Sequence, residues 1–210
     1  MKITARWILP LLLALVLSTP AAAQAPVEGQ DYVRIAEGAP WQPLDGKIEV
    51  AEIFSYACHV CDEFRPMLAA WARRQEADVR VSHVPAAYRR QDPFATMFFA
   101  AEALGQADAV HAATFDAVHR RGLLARNATV AEITTFYAGL GLGMDRARLG
   151  AAATSPETLE KLDAAHEFLV RSGARGTPTL VINGKYRVQG RTLHDVLRIA
   201  EQLIAAERQP

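Results

Sequence analysis

The chain has 210 residues, with 23 Lys and Arg balanced by 23 Asp and Glu, and half of its residues are hydrophobic. That balance leaves no basic footprint for nucleic acid, and the length suffices for one domain with a sizeable core and room for an inserted subdomain. Only two cysteines occur, three positions apart.

The first residues carry the pattern of an export signal. Lys2 and Arg6 form a basic start, residues 7–17 are apolar, and Thr19-Pro20-Ala21-Ala22-Ala23 supplies small residues before a cut. The apolar run is shorter than a membrane span requires. Cleavage after Ala23 is expected, because a cut after Ala25 would put Pro26 beside the scissile bond. Removing Lys2 and Arg6 takes the formal net charge from 0 to −2.

Residues 24–43 are polar and punctuated by Pro and Gly, with a short edge strand expected at 32–35. Residues 48–54 form a better strand, central and buried if Ile53 and Phe54 are both covered. A helix follows over 61–74, with Phe64, Leu68 and Trp71 on one stripe and a kink expected at Pro66. Residues 79–84 alternate apolar with polar and give the next strand. The β-α-β order predicts a parallel pair with a right-handed crossover.

From 93 to 171 only helical signals occur. Phe94, Met97, Phe98, Ala101 and Leu104 form one stripe closed by Gly105, and residues 107–121 form a second helix closed by Gly122. Thr129 with Glu132 is a capping box opening a third helix, residues 145–152 form a fourth, and Ser155-Pro156 opens a fifth through Leu159, Leu162 and Leu169. The sheet resumes at 179–182. Asn183-Gly184 predicts a two-residue hairpin turn into an antiparallel strand over 185–188, and Thr192 caps a last amphipathic helix. The expected division is 24–92, a helical insertion over 93–171, and 172–210 completing the sheet.

Cys58 and Cys61 sit where the strand hands over to the helix. Free N–H groups and the helix dipole favour a thiolate on the first, and the second, one turn on, is placed to attack any mixed disulfide the first makes. As a structural staple, so short a loop contributes only about 2 kcal/mol. Zinc would need a second ligand pair that the sequence lacks. Copper at His59 and the thiolates would want more than Met67 as a thioether. Redox exchange is the reading that remains strongest, with no metal ligand assigned. His83, His111, His119, His166 and His194 receive no role, and Asp62 and Glu63 are expected to face water.

Together with Gly176-Thr177-Pro178, the Asn183-Gly184-Lys185-Tyr186 turn and the run Glu52 to Cys58, the C-x-x-C pair resembles thioredoxin-fold oxidoreductases. The helical insertion and the export signal narrow the resemblance to the DsbA-like family of the periplasm. It implies an α/β thioredoxin fold, a mixed central sheet with an inserted all-helical subdomain. It implies Cys58 as nucleophile, Cys61 as resolving thiol, a cis bond before Pro178, and a substrate groove shaped by Thr177 and Pro178. Glu52 is similar in position to a buried acid that handles the resolving thiol's proton. His59-Val60 departs from the Pro-His that the family commonly carries, so His59 is placed to tune Cys58 from a different position. No cofactor beyond the Cys58–Cys61 disulfide is implied. The implied partners are reduced exported proteins and a DsbB-like membrane quinone reductase, acting on a monomer. A reductase or isomerase on the same fold, and a copper- or client-binding module, are the rival readings.

Overall fold

The computed structural model describes residues 25–89 and 91–209, so the expected signal segment lies outside the described residues. Strand β2, Ile48–Phe54, is buried at all seven positions. It has a neighbour on each side. To one side it pairs in parallel with β3, Val79–Pro85, and to the other it pairs antiparallel with β4, Thr179–Ile182. Beyond β4 lie β5, Tyr186–Val188, and the edge strand β1, Tyr32–Arg34, giving a five-stranded mixed sheet in the order β1-β5-β4-β2-β3. The hairpin joining β4 to β5 turns at Asn183 and Gly184, both at positive φ (49° and 68°), the backbone that an Asn-Gly pair adopts most cheaply. A Cβ on Gly184 would collide with the backbone of Ala39, so glycine is required here twice over.

The period-2 pattern of β2 distributes its side chains between two cores. Ile48 and Val50 join one core with Leu180 and Ile182, against Phe64, Leu68 and Trp71 of α1, His59–Ala72, and Leu203 and Ile204 of α7, Leu193–Glu207. Ala51 and Ile53 join the other with Val181 and the intervening helices. Those helices are α2 (Pro93–Ala103), α3 (Ala107–His119), α4 (Val130–Ala138), α5 (Arg146–Ala153) and α6 (Pro156–Ser172). Their ends follow the expected chemistry. Asp92, Thr129, Asp145, Ser155 and Thr192 each accept a first-turn N–H, and Thr129 with Glu132 closes a full capping box. No helix among the described residues is long and apolar enough to cross a membrane.

Three local expectations change. Helix α1 begins at His59, earlier than the apolar stripe implies. Leu159 is half exposed, because the buried stripe of α6 runs through Thr158, Leu162, Ala165 and Leu169, one position out of phase with it. Asp62 does not face water: it is mostly covered and lies 3.8 Å from Arg65 and 3.7 Å from Arg120, whereas Glu63 is exposed as expected.

Strand β2 buries two glutamates, Glu52 as the resemblance implied and Glu49, which the sequence did not single out. Glu49 is fully covered, and its carboxylate accepts hydrogen bonds from the backbone N–H groups of Trp41 and Gln42, the hydroxyl of Ser82 and the guanidinium of Arg80. It ties the loop before β2 to β3. Removing one partner of a buried ion pair leaves the other charge and several donors unmatched. Glu49→Ala should therefore destabilise the fold by about 3 kcal/mol, read as a lower denaturant midpoint; an unchanged midpoint would show that the loop is held by other contacts.

Candidate active site

Strand β2 ends at Phe54, and four residues later Cys58 is the N-cap residue of α1, with extended backbone (φ −88°, ψ 116°). Its own side chain does not cap the helix. Instead the Cys58 Sγ donates to the carbonyl oxygen of Thr177 at 3.1 Å. Thr177 precedes Pro178 through a cis peptide bond, as the resemblance implied. The loop before β4 is thus in direct contact with the first cysteine, 119 positions away in sequence, and Cys58, Thr177 and Pro178 are each half buried at the surface.

Cys61, one helical turn on, is completely covered, and both cysteines are free thiols. The two sulfurs therefore differ in kind. Burial pushes the Cys61 thiol well above the ordinary thiol range; hydrogen bonds from Ser55 and Thr177 offset part of that, and the charges of Cys58 and Glu52 add to it. His59 is exposed on the first turn of α1. Glu52 is buried in β2, as the resemblance implied, and its carboxylate accepts from His83 Nδ1 at 2.8 Å. The register of the parallel pair sets this contact, since Glu52 and His83 are direct partners across β2 and β3.

The chain from residue 49 to residue 200 matches the model of the DSBA-like thioredoxin domain. The chain belongs to the DSBA-like thioredoxin family. It is 34% identical over 200 residues, 91% of each chain, to the thiol:disulfide interchange protein DsbA of Azotobacter vinelandii. It is 32% identical over 208 residues, 96% of each chain, to the protein of the same name from Pseudomonas aeruginosa. Among solved structures it is similar to the oxidoreductase DsbA of Xylella fastidiosa, with a TM-score of 0.84 and 42% identity over 89% of this chain and 100% of that one. The fold is the family's thioredoxin fold with a helical insertion, and the C-x-x-C spacing of Cys58 and Cys61 is suited to thiol:disulfide exchange.

Beside these DSBA-like features lie residues that periodicity did not single out. Tyr88 is half exposed beside Thr177 and the two cysteines; burial raises its pKa, and Thr177 offsets part of that. His111 is buried on α3, stacked on His83 with ring centroids 4.5 Å apart, and its Nδ1 is 3.1 Å from the Tyr56 hydroxyl. Burial, then the charges of His83 and Arg65, holds His111 well below the usual histidine range. Tyr56 is itself pushed up, by burial first. His119 Nε2 donates to the Tyr56 carbonyl at 2.8 Å. A polar wall from α3 thus backs the strand that ends in the cysteines. Its only sequence signal is His83 falling opposite Glu52, which becomes visible once the parallel register is known.

The difference between the two thiols has a measurable consequence. Alkylation of the reduced protein under native conditions should modify Cys58 alone, with Cys61 reacting only on unfolding. Because the folded pKa of Cys61 is raised, the folded state keeps a proton that the unfolded state releases above about pH 8.5. The stability that Cys61 contributes is therefore full below that pH and is lost as the pH rises from there toward the folded value. Reduced wild type should lose stability above about pH 8.5 more steeply than reduced Cys61→Ala. Parallel curves would show that the thiol is not held protonated.

Proposed function

We propose that this chain is an exported protein dithiol oxidase that passes the Cys58–Cys61 disulfide to reduced proteins outside the cytoplasm. The observation that carries the reading is the asymmetry of the pair. One sulfur is accessible against the Thr177 carbonyl and the other is buried with its thiol form favoured.

A substrate thiolate attacks the Cys58 sulfur, forming the mixed disulfide and breaking the Cys58–Cys61 bond, whose electron pair leaves with Cys61. Burial makes a bare Cys61 thiolate costly, so its departure needs a proton. Glu52, buried behind it and joined to half-exposed His83, is the acid in reach of that environment. A second substrate thiolate then attacks the substrate sulfur of the mixed disulfide and releases Cys58 as a thiolate. Two electrons have moved from substrate to enzyme, and the substrate carries the disulfide. Thr177 and Pro178 line the cleft that the substrate chain enters, and His59, exposed beside Cys58, tunes the exchange without touching the buried side.

Return to the oxidised form requires an electron acceptor, for which a DsbB-like membrane quinone reductase is the partner of matching chemistry. The enzyme works as a monomer. The basic, apolar and small-residue succession of residues 1–23 supports periplasmic delivery. Mass spectrometry of that compartment is expected to find a chain beginning at Gln24; an uncut Met1 terminus there would overturn the export step.

Cys58→Ala is expected to abolish oxidation of a reduced test protein, while Cys61→Ala accumulates mixed disulfides through Cys58. Glu52→Gln, which cannot deliver a proton, should slow exchange by roughly 10²-fold. Turnover by Cys58→Ala would rule the mechanism out. Direction is read by equilibrating the pair against glutathione: an oxidase requires a potential above the ~−270 mV of thioredoxin, and a value at or below it would favour the reductase.

A further inference from the structure

Behind the cysteines, Glu52 of β2, His83 of β3 and His111 of α3 converge. Each offers one ligand atom, and the three atoms lie within 4.8 Å of one another. His111 is held in a specific way. Its Nδ1 faces the Tyr56 hydroxyl at 3.1 Å, while its Nε2 is buried without a hydrogen-bond partner. An unmatched nitrogen on a side chain that is only 8% exposed is costly. A lone pair directed at a Lewis acid resolves that cost, and a ligating imidazole whose other nitrogen is fixed by an outer partner is the usual arrangement at metal centres. A cavity of about 200 Å³ reaches His83 and His111 between α1, β3 and α3, with Arg65 and Asp108 also on its wall.

We propose that Glu52, His83 and His111 bind one divalent cation of the zinc class, reached through this cavity. The donor set argues the class. Two imidazole nitrogens and one carboxylate oxygen suit zinc or cobalt, whereas calcium and magnesium want oxygen throughout. Three protein ligands leave a fourth position for water from the cavity. Tetrahedral bonds of about 2.1 Å place ligand atoms about 3.4 Å apart, so the widest separation must close by on the order of 1 Å while the 2.8 Å contact of Glu52 with His83 opens slightly; half-exposed His83 has the freedom to do so. Arg65 opposes a cation here, but its charge is matched by Asp62 at 3.8 Å, and Asp108 on the cavity wall adds an acid.

Binding displaces the hydrogen that Glu52 and His83 share, which returns to solvent, and it occupies the carboxylate assigned above to the Cys61 proton. The site itself does not depend on that assignment, because ion binding is read without turnover. The test uses the oxidised mature chain without a polyhistidine tag, so that the disulfide keeps both sulfurs from ligating. Calorimetric titration with Zn²⁺, and the absorption of added Co²⁺, should each report one equivalent. His111→Phe and His83→Gln should each weaken binding at least tenfold. Should His111→Phe fail to fold by circular dichroism, His83→Gln decides alone. Absence of a one-equivalent site in the oxidised wild type, or an affinity unchanged in the folded variants, would overturn the proposal.

Discussion

The structure depends on the complete burial of β2. Seven consecutive residues with no exposed position can be accommodated only if both edges are paired and both faces are covered. Parallel β3 and antiparallel β4 supply the edges, and the two hydrophobic clusters supply the faces. A strand so constrained delivers its C-terminal end to one place. Cys58 follows four residues after Phe54, at the start of α1, and the loop carrying cis-Pro178 arrives from the antiparallel neighbour on the same side. The meeting of Cys58 Sγ with the Thr177 carbonyl is thus a consequence of sheet order.

The same strand makes the two sulfurs unequal. Helix α1 starts at the edge of the core and turns inward, so its cap residue remains half buried while the residue one turn later is sealed. Identical side chains then have different chemistry, because desolvation penalises the ionised form of only the inner one. An exchange centre of this kind needs one reactive sulfur and one that is protected from solvent and from other thiols, and three residues of helix separate the two conditions.

Two buried glutamates on one strand also show how burial is divided between structure and chemistry. Glu49 is surrounded by donors from a loop, a hydroxyl and Arg80, and it holds the loop to the sheet. Among the described residues Glu52 has one hydrogen-bond partner, His83, and it faces a partly open polar wall with an unmatched histidine nitrogen. A saturated carboxylate is fixed. One with spare capacity is the carboxylate to which the proposals above give protons and ions.

Much of this was legible in the sequence because it depends on local chemistry. Alternation and apolar runs marked the strands, Thr129 with Glu132 and Ser155-Pro156 marked helix starts, and the Asn183-Gly184 pair marked the hairpin through the positive φ it tolerates. The spacing of Cys58 and Cys61 pointed to exchange, since few other uses suit an isolated pair at a helix start. What the sequence could not contain is pairing between distant segments. That Glu52 lies opposite His83 follows from strand register, and that His111 closes over both follows from the docking of α3; neither has a local signature, because a histidine in a strand or helix pattern is ordinary. The phase of α6 failed for the same reason: which neighbour covers a stripe is decided by packing, so Leu159 was left outside it. The sequence by itself determined the elements and the reactive pair. Only the tertiary structure decided which sulfur is sealed, which glutamate is saturated with donors and what stands behind them, because burial and electrostatics belong to positions in space.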